Sequence, residues 1–497
     1  MKKKLLLLAL ATVMTTAAHA ASIDHIQTYT PEYLGNQAQN GMINGASVYY
    51  NPAGLVHLKD GTYVHAGAEL AIGHEKMEYN GHEYKAILLQ PIPNFAAYKV
   101  QDNSALYWTF GGIGGGGDLN YKSGVAGTAV VPDIIKSSEL GHFFKSVEDA
   151  GSSAEGKNIY AQTTLGKAWK VDNKLSVSVG GRVVYGVRNL KGDLNINTTT
   201  NKEAIKENIA NQIQKEINNN PKFAEAMKNP EFKKHVYEKL GSQMQDAEKQ
   251  LKHIHADIDS ERTAWGYGFQ LGLNYKATDR LNLAMRYDSR VKLNFKARGT
   301  MNNFKTGIIP GILPDGIDLG FEHFYPEYKP GHKQRRDLPA ILALGASYKV
   351  TDDWTMALAG NYYFNKDAKM DRIAGKVDLK GVAINGLEAE YDNGWEIALG
   401  TEYKLNPQWA FLGSVNYANT GAKKTSFDDV EYPLNSLTLG TGLKFNPDED
   451  TEWVFAISHF IYFEKGGHYN EKYHGAVPNP KYDKSVTAFG LSYTKRF

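Results

Sequence analysis

The feature that most constrains this chain is an alternation of period two, renewed in segment after segment from about residue 61 onward. Trp265, Tyr267, Phe269, Leu271, Leu273 and Tyr275 fall on one face; Gly266, Gly268, Gln270, Gly272 and Asn274 fall on the other. Alternate residues of a strand point to opposite sides, so each such segment reads as a strand with two different faces. In a soluble sheet the face opposite the apolar one is strongly polar. Here it is rich in Gly, Ala and Ser, with isolated charges such as Arg286, Asp288, Arg290, Glu396 and Glu402. An apolar outside and a small, charged inside suit a barrel standing in lipid.

The connections sharpen this. Short polar turns occur at 101–103, 172–174, 278–280, 351–353, 406–408 and 446–448, and long connections near 118–158, 189–262, 298–337, 367–393, 418–435 and 467–485. Tight turns at one end and long loops at the other are the habit of outer-membrane barrels. The expected strands number about fourteen, near 62–77, 91–100, 104–117, 159–170, 175–188, 263–276, 281–297, 339–350, 354–366, 394–405, 408–418, 436–446, 452–465 and 486–497. The expectation is therefore an all-β fold, a transmembrane antiparallel β-barrel over 61–497.

Met1-Lys2-Lys3-Lys4, an apolar core over 5–13 and Ala18-His19-Ala20 form a secretory signal peptide, 1–20. Beyond it no apolar run reaches the ~18 residues of a transmembrane helix. Lys plus Arg number 56 against 54 for Asp plus Glu, which removes the basic excess of a nucleic-acid binder. With no Cys there is no disulfide framework or thiolate site. The fifteen His show no metal-ligand spacing, so no metal or cofactor is expected. No GxSxG and no Ser/His/Asp grouping is present, so the chain does not read as an enzyme. Gly112 to Gly117 spell GxGxxG, but no βαβ unit surrounds them.

Residues 21–60 do not alternate. They carry Tyr49-Tyr50-Asn51-Pro52-Ala53-Gly54-Leu55, which resembles the hatch signature of the FadL/TodX (OmpP1) family of outer-membrane transporters for long-chain fatty acids and other hydrophobic compounds. The Leu338-Pro339 pair opening a strand and the terminal Phe497 join the resemblance, which is firm in residues over 33–60. Asn44 departs from it, standing where many members carry Asp. The resemblance implies a fourteen-stranded barrel plugged by a hatch, 21–60, with Asn51, Pro52, Ala53 and Gly54 as its motif. It also implies lateral release at an inward kink of the third strand. That strand ends Gly111-Gly112-Ile113-Gly114-Gly115-Gly116-Gly117. Glycines pack no side chains and weaken a ladder, so a break at Gly111, Gly112, Gly114, Gly115 and Gly116 is expected, with Asn51 and Pro52 satisfying the backbone there.

Within the long connection 189–262, Ile205, Ile209, Ile213 and Ile217 recur at helical spacing, and Asn220-Pro221 and Asn229-Pro230 restart helices. A helical insertion over 201–258 follows, with Gly241 as a stop. The family's third and fourth loops form a landing groove. By that resemblance Ile209 and Ile213 would face Phe304, Ile308, Ile309, Ile312 and Leu313; the other reading is a lid packed on itself. Arg286, Arg290 and Lys292 share an inward face with Asp288, as donors to a carboxylate ligand or as a mutually paired network. Phe497, after Phe489, Leu491 and Tyr493, is similar to the recognition signal of barrel-assembly machinery. The expected function is passive uptake of hydrophobic small molecules by a monomer among outer-membrane lipids, long-chain fatty acids first and monoaromatic hydrocarbons second. A surface adhesin or receptor, or an open porin, is the alternative.

Overall fold

A computed structural model of the chain describes residues 26–497 except 139, 306–317, 370–375, 379–382, 386–389, 428 and 430. The signal peptide lies outside the described residues. The alternating segments form a closed antiparallel β-barrel of fourteen staves. In chain order they are β1 Gly61–Tyr79, β2 His82–Gln101, β3 Ser104–Tyr121, β4 Ser153–Lys170 and β5 Leu175–Thr200. Then come β6 His253–Lys276, β7 in two pieces (Leu281–Asp288 and Asn294–Asn302) and β8 in two pieces (Lys333–Arg335 and Ile341–Lys349). The circuit continues with β9 Trp354–Tyr363, β10 Gly394–Lys404, β11 Trp409–Asn419, β12 Ser436–Asp448, β13 Thr451–Tyr462 and β14 Lys481–Arg496. Each stave pairs with its chain neighbours, and β14 returns to β1 from Tyr63↔Arg496 to Glu78↔Lys481. Reciprocal hydrogen bonds between Thr62 and Phe497 extend that seam by one pair.

Period two decides what faces lipid. On β6, Trp265, Tyr267, Phe269 and Leu271 are exposed while Ala264, Gln270 and Asn274 are buried inside. Exposed Leu165 and Trp169, Ile397 and Leu399, and Phe489 and Leu491 carry the apolar band around the ring. The staves are longer than the alternation suggested. β5 and β6 stay paired from Leu175↔Tyr275 to Asn197↔His253, well past the apolar band, so the barrel rises as a stalk into the long connections. β1 and β2 meet in a two-residue turn at Asn80-Gly81, both at positive φ, the turn chemistry that Asn-Gly favours.

Three expectations need correction. The sixth short turn falls at 449–450, because β12 runs on through Asp448. Gly241 does not stop a helix: Pro230–Leu251 is continuous through it. The phase of β7 slips between its pieces, so Val291, Leu293 and Phe295 turn inward while Arg290 and Lys292 are exposed. The interruption at 289–293 inverts which parity faces the lumen.

Inside the ring lie residues 26–58, buried throughout 30–42 and 46–56. Thr30 caps a helical turn Pro31–Gly35, and Pro52 opens a tighter one to His57. Gly41 and Gly345 touch backbone to backbone, where an added Cβ on either would meet main-chain atoms within 2.5 Å.

Candidate functional site

The wall beside the glycine run is interrupted. β2 and β3 pair from Gln101↔Ser104 only as far as Asn94↔Gly111. Beyond that point β2 keeps β1 on one side, while β3 leans on β4 through two register shifts, at Gly112/Gly114 and Gly115/Gly117. Gly115 and Gly117 have φ of 129° and 86°, which only glycine adopts at low cost. A Cβ on Gly115 would lie 2.2 Å from the Asn158 carbonyl oxygen. β2 contributes as well, through a signal the alternation hid: Pro91 and Pro93 share one parity. The β1 ladder runs unbroken past both, so their missing N–H groups lie on the edge turned away from β1. The departed strand and the edge that cannot donate face each other.

The N-terminal segment is pinned to the wall by its own carbonyls. Ser458 donates to Leu34 O (2.6 Å), Asn282 and Ser347 donate to Gly41 O (2.9 and 2.8 Å), and Ser176 donates to Ala53 O (2.7 Å). Asn51 does not reach the strand break; its amide donates to Asn274 Oδ1 of β6 at 2.7 Å. The segment meets the break at Thr28 and Tyr29 instead: Asn94 donates to Tyr29 O at 3.2 Å, and Thr28 lies against Gly111. Gly54 packs on Asn51 so closely that a Cβ there would come within 2.7 Å of its amide nitrogen. Asn44 accepts from the Ala46 N–H and donates to Gln39, a donor bond that a carboxylate would not make.

Above the break, in the stalk, two cavities follow each other along the same elements. The upper one is a mainly apolar chamber between Val125, Val131, Leu190, Leu194, Phe321 and Tyr325. The lower one is lined by Gly117, Asn158, Arg188, Tyr328 and Glu431. The step from Leu190 to Arg188 is one inward position along β5, and Ala154 of the upper cavity and Asn158 of the lower are inward positions of β4. Along these staves apolar lining thus gives way to polar lining.

Arg188 lines the polar cavity, and two more buried guanidinium groups, Arg336 and Arg262, adjoin it through Glu431 and Tyr328 of its lining. Arg336 donates to Glu431 Oε1 at 2.6 Å, and Arg188 donates to the other oxygen. Arg262 stacks 3.7 Å over the Tyr328 ring and donates to Gln334 at 3.0 Å. Glu431 sits in the 420–435 connection, outside the membrane-spanning staves. Burial alone would raise its carboxyl, but Arg188 and Arg336 outweigh it and hold the pKa at about 2. These four residues escaped the sequence reading. Arg188 and Arg262 do stand at inward positions of strongly alternating strands, and that was the available signal.

The other expected residues divide. Arg286 is buried, pairs with Asp288 at 3.2 Å, and donates to Tyr49 O of the N-terminal segment at 2.6 Å. Arg290 leaves that network for Asp337 and the Asp367 carbonyl, and Lys292 faces out. Ile209 and Ile213 pack with Leu140, Phe143, Met227 and Leu251, with Phe304 at the edge of that cluster. Ile308, Ile309, Ile312 and Leu313 lie outside the described residues.

A family described as outer membrane protein transport protein (OMPP1/FadL/TodX) matches residues 11–497. Outer membrane protein P1 of Haemophilus influenzae is 21% identical over 199 residues, 39% of this chain and 38% of that protein. The long-chain fatty acid transport protein of Escherichia coli O6:H1 is 20% identical over 209 residues, 42% of this chain and 40% of that protein. The chain thus spans about two fifths of the length of these curated relatives. In fold, the P. putida toluene transporter TodX superposes with a TM-score of 0.58 at 16% identity, covering 95% of this chain and 99% of that one.

Proposed function

The chain belongs to the outer membrane protein transport protein family (OMPP1/FadL/TodX), and we propose that it carries hydrophobic small molecules passively across the outer membrane, long-chain fatty acids first among them. One observation supports that cargo above the rest. The apolar chamber and the polar cavity that holds Arg188 are lined by neighbouring positions of the same two staves, Leu190 and Arg188 of β5 and Ala154 and Asn158 of β4. An amphiphile with an oily tail and an anionic head has its two ends matched in that order.

In this reading residues 21–60 act as a hatch over the lower lumen, and the gap between β2 and β3 is the way out. Cargo enters at the end of the long connections, where burial of its tail supplies ~0.8 kcal/mol per methylene. Its head stops beside Gly117, next to the interrupted wall. The hatch blocks the straight path to the short-turn end, and lateral passage between β2 and β3 returns the tail to an apolar medium. No energy source is required beyond the concentration gradient and the affinity of the next acceptor. Arg286 belongs to the pinning of the hatch rather than to cargo binding.

A second reading, uptake of monoaromatic hydrocarbons, draws on the small chamber and on Phe321 and Tyr325 in its lining. Native mass spectrometry of the detergent-extracted barrel, titrated with palmitate and with toluene, separates the two. The expected result is one saturable palmitate adduct. Binding of toluene with no palmitate adduct would assign the chamber to hydrocarbons.

A further inference from the structure

Two guanidinium groups, Arg188 and Arg336, share the Glu431 carboxylate, and a third, Arg262, stands beside Arg188. Arg188 and Arg262 are direct cross-strand partners in the β5–β6 ladder, where like charges repel. Arg336 reaches Glu431 from the interval between the two pieces of β8. The Nε atoms of all three are buried with no hydrogen-bond partner among the described residues, as are both amide atoms of Asn158 across the cavity. Lys157, also on its lining, is paired with Asp118 at 3.5 Å. The site therefore offers more cationic charge and more donors than Glu431 alone can use.

Resting on the fatty-acid reading above, we propose that Glu431 is a tethered stand-in for the cargo's carboxylate, displaced by the head group of an anionic amphiphile. Glu431 comes from a connection and not from a stave, so its displacement leaves the ladders of the staves intact. Exchange of one carboxylate for another keeps buried charge and hydrogen bonds balanced, and avoids the large cost of leaving the arginines bare. A tether also sets a threshold. A group tethered to the same chain competes at an effective concentration of roughly millimolar order or above. A small anion such as acetate loses that competition. A long-chain carboxylate wins it, because its tail is buried in the adjoining chamber at the same time. Displacement of Glu431 frees the 420–435 connection, so occupation of the polar cavity is reported at the mouth of the barrel.

The test uses the full folded barrel, wild type, Glu431→Gln and Arg188→Gln, titrated with palmitate and with hexadecanol; heat-modifiable gel migration verifies folding. Glu431→Gln is expected to tighten palmitate binding at least about tenfold by removing the tethered competitor. Hexadecanol binding stays within about twofold. Arg188→Gln weakens palmitate and leaves hexadecanol in place. Because the chain has no Cys, a nitroxide carried by Lys423→Cys reads the connection alone. It gains mobility with palmitate and not with hexadecanol or acetate. Palmitate affinity that is unchanged or lower in folded Glu431→Gln overturns the displacement while sparing the fatty-acid reading. Equal gains for palmitate and hexadecanol also overturn it. Palmitate binding to neither wild type nor Glu431→Gln, with toluene bound by both, overturns the cargo assignment and the displacement together.

Discussion

At the scale of single residues, the decisive chemistry is a carboxylate placed among arginines where the chain has left the sheet. Glu431 is held at about 2 against an ordinary value of 4.5. A carboxyl whose folded pKa is depressed stabilises the fold above its ordinary value and loses that contribution as pH falls through the folded one. The window is therefore from about pH 4.5 down to about 2. Across it, a nitroxide carried by Lys423→Cys is expected to become progressively mobile in the wild type as the 420–435 connection detaches. With Glu431→Gln in addition, mobility is expected to be high and flat over the same range. A flat wild-type profile would show that other contacts hold the connection. Nothing local to Glu431 in the sequence pointed at this role, because its significance lies in partners 243 and 95 positions away. Asn51, by contrast, is legible from the run around it, yet its partner Asn274 was not. A motif fixes which residue matters and leaves open what it touches.

At the scale of elements, the break in the wall is built from two strands. The glycine run of β3 was readable as a weak ladder, since a strand without side chains has little to hold it. Pro91 and Pro93 of β2 were not read as its other half, because the alternation around them placed the start of β2 near residue 91. If the β2–β3 register continued past Asn94↔Gly111, Ile92 would face Ile113. Those two side chains sit in different apolar clusters. Oxidation of an Ile92→Cys/Ile113→Cys pair is thus expected to give little intramolecular disulfide, since cross-linking needs Cβ atoms about 4 Å apart. An Ala96→Cys/Thr109→Cys pair, opposite in the observed register, is expected to cross-link readily. Efficient linking of the first pair would mean the wall closes, and lateral passage would lose its opening. The slip in β7 teaches the same lesson in reverse. Its alternation is clean on either side of 289–293, but a run held by one isolated bridge, Val291↔Leu338, inverts the parity, and no composition signal marks where.

At the scale of the whole molecule, the barrel, its fourteen staves and the asymmetry of its ends follow from period two and turn placement, which are local and repeated. The division of labour among the long connections does not, because it depends on which of them fold back over the mouth. By the family resemblance Lys202–Asn219 and Pro230–Leu251 would form half of a ligand groove. Their buried isoleucines pack with Leu140 and Phe143 of the β3–β4 connection, with Phe304 at the edge of the cluster. No residue of 202–251 is among those lining the chamber or the arginine cavity. Replacing 202–251 by a short Gly-Ser turn between β5 and β6 is accordingly expected to leave a folded barrel. Palmitate affinity should remain within about twofold, the tolerance for parts that share no partners. The β5–β6 ladder ends at Asn197↔His253, so the two strand ends are already adjacent and a short turn closes them without strain. Loss of palmitate binding in the deleted barrel would make the helices part of the ligand path. Retained palmitate binding with lost attachment of whole cells to a surface would identify the helices as a separate recognition element seated on a transport barrel.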